Sequence, residues 1–165
     1  MQVGEGFAGD GPNAAHVNTV LGSKDGAVGT AWTTALATPR IGHAPFVVVV
    51  RPNVPVKPFT LVVNKSAVDG EKNERHARFT WGAAQAGVAA GVVAALSKGI
   101  VSEADAGELL LIAAVWVNPE ADDEHEMYAN NEAATLAALA AGRDGTPTVA
   151  DVLAAGVPQN PFFNP

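Results

Sequence analysis

Three prolines in eight residues, Pro52, Pro55 and Pro58 of RPNVPVKP (residues 51–58), set the tightest limit on this chain. Proline fixes φ and lacks an N–H, so neither a helix nor a central strand tolerates that density. The segment is therefore an extended connection. Before it, Phe46 to Val50 is β-prone without polar interruption, which suits a strand buried on both faces. After it, residues 59–64 (FTLVVN) resume as a strand.

The rest of the chain falls around this centre. Residues 2–10 read as a strand that Gly4 and Gly9 weaken or bend. Asp10-Gly11-Pro12-Asn13 is a turn signal, and residues 14–21 (AAHVNTVL) complete a hairpin. Residues 27–37 form a helix that ends before Pro39, and the polar stretch 69–78 (DGEKNERHAR) is exposed. Gly82 to Lys98 is a small-residue helix with Val88, Val92 and Leu96 on one face and Gly99 as its stop. Ser102 to Asp105 has the pattern of a capping box for a short helical turn. Leu109 to Val117 is a buried strand, 121–142 a long helix with Asp122, Asp123 and Glu124 in its first turn, and 148–155 a short helix. The order predicts a single α/β domain of two layers (α+β), helices on a mixed sheet, over residues 1–157. Residues 158–165 form a tail with prolines and two phenylalanines, of a kind that packs on its own domain or on a neighbour.

Composition removes several functions. With no cysteine among 165 residues, disulfides, thiolate catalysis and cysteine-ligated metals are excluded. A net charge of -7 without a basic stripe argues against a nucleic-acid partner. No apolar stretch has the length and purity of a membrane span, and MQVGEGFAGDG carries no signal-peptide features, so a cytoplasmic location is expected. Alanine, glycine and valine dominate the apolar residues and each buries little area, which makes further burial between subunits a reasonable expectation.

Four histidines remain as candidates for chemistry: His16, His43, His76 and His125. None is spaced for zinc, so no metal site is expected. The acidic run around His125 (ADDEHEMY) reads as the solvated first turn of a helix. His16 shares a strand face with Asn18; the pair either lines a polar cavity in which imidazole moves protons, or is a hydrogen-bonded structural feature. Lys65 at a strand end and Gln85 in the first turn of the small-residue helix are either surface residues or contacts for substrate and a heterocycle edge. GEGFAG (residues 4–9) lacks the spacing and the helix of a nucleotide loop.

VGEGFAGDG-NAAH near the start, PNVPVKPFTLVVNK in the middle, GAAQAGVAAGV on the helix and EADDEHEMYANNEAAT near the end together resemble the formaldehyde-activating enzyme family, in the family's order and spacing, over residues 2 to about 145. The resemblance implies a fold similar to the second domain of ribosomal protein S5 and a homopentamer. It implies condensation of formaldehyde with tetrahydromethanopterin, a reduced pterin acting as co-substrate, to methylene-tetrahydromethanopterin and water, with no tightly bound cofactor. The family's general acid falls on His16, and its substrate contacts fall on Asn18, Val47, Lys65, Ala67 and Gln85. The family pattern carries aspartate where Asn18 stands, threonine at Ala67 and leucine at Val47. Those departures leave open a paralogue that condenses a small aldehyde with a different amine, or a non-catalytic ligand-binding protein of the same fold.

Overall fold

The computed structural model describes residues 1–69, 73–160, 163 and 165. Strands β1 (Gln2–Ala8) and β2 (Ala15–Ser23) form the expected hairpin, closed by a 3-10 turn at Gly11–Asn13. Helix α1 (Ala27–Ala37) follows, then β3 (Phe46–Val47), β4 (Val49–Arg51), β5 (Val54–Pro55) and β6 (Phe59–Asn64). Next come α2 (Glu74–Arg78), a π-helical turn (Phe79–Ala84) and α3 (Gln85–Ser97), then β7 (Leu109–Trp116), α4 (Glu124–Asp144) and α5 (Val149–Ala154).

Five strands make a mixed sheet in the order β1-β2-β7-β6-β3, antiparallel except for the parallel pair β6–β7. Side chains alternate across it. Val17, Leu111, Ala113, Val115 and Val62 point to one face and are buried with Val88 and Val92 of α3 and Met127, Ala134 and Leu139 of α4. Each such valine or leucine contributes about 1.5–3 kcal/mol relative to exposure. The opposite face carries α1 at one end, where Val28 rests against Gly22 of β2, and is open at the other.

Close approach sets the small-residue pattern. A Cβ at Gly4 or Gly6 would overlap the carbonyls of Ala138 or Ala134 on α4. Gly4 is therefore a regular strand residue under a helix and marks no bend, whereas Gly9, at φ 77, does bend the chain. Gly87 and Gly91 let α3 approach the backbone of α4 in the same way.

Several boundaries differ from the sequence reading. Phe46 to Val50 is not one strand buried on both faces: Phe46 and Val47 pair with β6, the Val48 N–H donates to Thr60 O at 2.9 Å, and Val50 is exposed. Its next residues peel away into a separate hairpin, β4–β5, turned by Pro52 and a left-handed Asn53 at φ 66. The proline-rich segment is thus a two-stranded flap rather than a plain connection. The stretch 69–78 is not simply exposed, since 74–78 is helical and His76 is buried; residues 70–72 lie outside the described ones. Asn73 caps α2, accepting from the His76 N–H at 2.9 Å. The π-helical turn joins α2 to α3, so Gln85 stands in the middle of a continuous helix, not in its first turn. That run, Glu74–Ser97, is long and apolar enough by composition to cross a membrane, contrary to the sequence reading, but half of its apolar window is buried inside the fold. Helix α4 begins at Glu124 with Asp123 as its cap, accepting from the N–H groups of His125 and Glu126 at 2.9 and 3.0 Å. The rest of the acidic run is not merely solvated: Asp122 and Glu126 accept from Asn13 Nδ2 at 2.9 and 2.8 Å.

Candidate functional site

The sheet register places the chemistry. Phe7 pairs with His16, His16 pairs with Trp116, and Lys65 follows the Asn64–Val115 pair, so it stands beside Trp116. Phe7, His16, Trp116 and Lys65 thus form one row across four strands on the open face. The adjacent row on that face begins Glu5, Asn18, Ala114, Val63.

The first row, with Glu5 and Asn18 of the second, lines a hollow of about 1180 Å³, to which the Gly9–Gly11 turn and Gln159 and Asn160 of the tail also contribute. A space of that order takes a drug-sized ligand or larger. The His16 side chain is 45% exposed, neither sealed in hydrocarbon nor remote from the hollow. Its ring meets Phe7 edge-on, with centroids 6.2 Å apart. Its Nε2 lies 3.0 Å from Oε1 of Glu5. An ionised carboxylate only accepts, so Nε2–H donates, leaving Nδ1 as the ring nitrogen not committed to Glu5.

Lys65 is held from both sides. Its backbone N–H donates to Val115 O at 2.7 Å. Before it, buried Asn64 donates through Nδ2 to the carbonyls of Gly42 and Ser66 at 2.7 and 2.8 Å. After it, Ser66 Oγ donates to Val117 O at 2.8 Å, and Nε2 of buried His76 lies 3.1 Å from the same carbonyl. A carbonyl only accepts, so Nε2 of His76 carries hydrogen and helps hold this strand end. The rim is fixed as well: besides its bonds to Asp122 and Glu126, Asn13 accepts through Oδ1 from the N–H groups of Asp122 and Asp123 at 3.0 and 3.1 Å.

The structure brings His16, Asn18 and Lys65 together at this hollow. Val47, Ala67 and Gln85 are not among its lining residues. Val47 shares the open face but stands on edge strand β3, roughly 20 Å from His16 by strand spacing and rise. Ala67 lies against Gly42, and Gln85 belongs to the helical layer. Sequence reading missed Glu5, Phe7, Trp116 and Asn13. The first two were recoverable, since a hairpin closed at residues 9–14 sets Phe7 opposite His16 and Glu5 opposite Asn18. Trp116 and Asn13 depend on a strand and a helix about 100 residues away.

The arrangement combines an imidazole ring, a carboxylate beside it, an amide, a cation and two aromatic walls. It suits a flat, polar heterocycle undergoing proton-dependent chemistry. A family model described as formaldehyde-activating enzyme matches residues 3–161. The chain belongs to the formaldehyde-activating enzyme family. It is similar to the 5,6,7,8-tetrahydromethanopterin hydro-lyase of Methanosarcina barkeri, 39% identical over 152 residues that cover 92% of this chain and 84% of the relative. It is also similar to the bifunctional enzyme Fae/Hps of Methanococcoides burtonii, 39% identical over 153 residues, and to that of Methanosarcina barkeri, 37% identical over 153 residues. The chain covers 38% of the length of each of these two bifunctional relatives.

Proposed function

We propose that this chain condenses formaldehyde with tetrahydromethanopterin, giving methylene-tetrahydromethanopterin and water. The row formed by Phe7, His16, Trp116 and Lys65 at the floor of the hollow carries this reading, together with family membership. Formaldehyde is already electrophilic, and a pterin amine nitrogen attacks its carbon to give an N-hydroxymethyl adduct. His16, as imidazolium, gives a proton to the adduct hydroxyl. The C–O bond breaks, water leaves and an iminium forms. The second pterin nitrogen attacks that carbon and returns its proton to His16, closing the ring. A general acid placed this way contributes about 10²–10⁴-fold, and holding the reactants together contributes further.

Phe7 and Trp116 supply walls on which a pterin ring lies, Asn18 hydrogen-bonds its polar edge, and Lys65 meets a polar or anionic part of the ligand. Val47, Ala67 and Gln85 reach that ligand only where a second copy brings them to the hollow. That geometry fits the homo-oligomer, a pentamer, that the family resemblance implies.

The test mixes protein, formaldehyde and tetrahydromethanopterin and follows product above the spontaneous rate. Acceleration that falls about 10²–10⁴-fold in His16→Ala is expected. No acceleration by the unaltered protein overturns the reading. The amide at position 18, in place of the family's carboxylate, favours a second reading, a different amine substrate, which a screen of amines with formaldehyde then separates.

A further inference from the structure

We propose that Glu5 is the positioning residue of His16. This rests on the reading of His16 as the proton donor. Glu5 and Asn18 are direct cross-strand partners on the open face, and the Glu5 carboxylate sits 3.0 Å from His16 Nε2. A side chain on β1 therefore reaches diagonally to the ring on β2, two pairs along the ladder and next to it on the same face. The contact fixes two things at once. It ties Nε2–H to Glu5, so that Nδ1 is the nitrogen that gives the proton to the departing hydroxyl and takes one back at ring closure. It also sets a negative charge beside the ring as the imidazolium forms. Histidines with a dedicated task are commonly held through their second nitrogen in this way.

Asn18 takes a different part. An amide on the same face donates and accepts, so it serves the ligand edge without competing for the ring. Glu5 is 58% exposed and packs into no core, so replacing it leaves the fold intact.

The test compares Glu5→Leu and Glu5→Gln. The leucine variant removes acceptor and charge; the glutamine variant keeps an acceptor. Long-range ¹H–¹⁵N spectra of His16, recorded with the ring neutral, report which nitrogen carries hydrogen. The unaltered protein is expected to show the Nε2–H form, Glu5→Leu a mixture of both tautomers, and Glu5→Gln the original form. In the condensation assay Glu5→Leu is expected to lower kcat about 10–100-fold with KM within about 2-fold, and Glu5→Gln to recover part of that loss. An unchanged tautomer in Glu5→Leu, or an unchanged kcat, overturns the proposal. The spectra need no pterin, so a chain that fails to accelerate the pterin reaction still answers for Glu5.

Discussion

Lys65 shows how a single side chain depends on buried neighbours that take no part in the chemistry. Asn64 on one side and the Ser66–His76–Val117 set on the other fix its backbone, while its ammonium reaches the hollow. A cation that contacts ligand in both ground and transition states changes KM more than kcat. Lys65→Met is therefore expected to raise KM for the pterin about 10-fold, as one lost charge-assisted hydrogen bond of about 1.5 kcal/mol would do, with kcat within about 2-fold. Steady-state kinetics with formaldehyde saturating would show this; a fall in kcat alone would place Lys65 in the chemical step instead. Single residues were also where the sequence was most informative. That His16 and Asn18 share a strand face and that Lys65 stands at a strand end was legible because both depend only on local periodicity, whereas their site roles came from the family resemblance. Trp116 was not, because nothing local says which distant strand lies beside His16.

At the level of elements, the contact of α4 with β1 is the most constrained. Gly6 sits beneath the Ala134 carbonyl with no room for a methyl group. Gly6→Ala is expected to destabilise the fold by about 1–3 kcal/mol, the range for overpacking, measured by urea denaturation. A midpoint that does not move would mean that helix and strand separate more readily than their spacing indicates. Helix α5 offers a contrasting case. None of its residues is buried, and it is held by a capping box in which the Asp151 carboxylate accepts from the hydroxyl and backbone N–H of Thr148 at 2.7 and 2.8 Å. The hydroxyl first, then the N–H, hold the Asp151 carboxyl below its ordinary value. Because the folded value is the lower one, the cap's contribution is complete above the ordinary carboxylate pKa of about 4 and is lost as pH falls through the folded value. Protection of the 149–154 amides, relative to their intrinsic exchange, is expected to fall selectively in that acid window, and to fall less in Thr148→Ala, where only the backbone N–H still donates to Asp151. Elements with strong periodicity, such as β2, β7 and α4, were legible in the sequence. The β4–β5 flap and the helical run through 74–84 were not. A turn at Pro52-Asn53 and a π-helical join are decided by tertiary fit rather than by local pattern.

Across the whole molecule, the α/β class and the two layers were legible from the succession of strands and helices. The sheet order β1-β2-β7-β6-β3 was not, because it inserts β7 between β6, the strand before it, and β2 from the far start of the chain. That insertion makes the site. It brings Trp116 between His16 and Lys65 and joins the N-terminal hairpin to the middle of the chain. The tail adds Gln159 and Asn160 to the same hollow, so residues from nearly the full length of the chain meet there.

One outcome of the single row across four strands concerns error detection. Strand pairing that slips by one residue turns every side chain of that strand to the opposite surface. A chain that closed with β2 or β7 one step out would present Val17 or Val115 in place of His16 or Trp116, and would hold much the same helix and strand content. Spectroscopy of the backbone would pass such an impostor as native. Turnover would not, so here enzymatic rate doubles as a gauge of correct strand alignment.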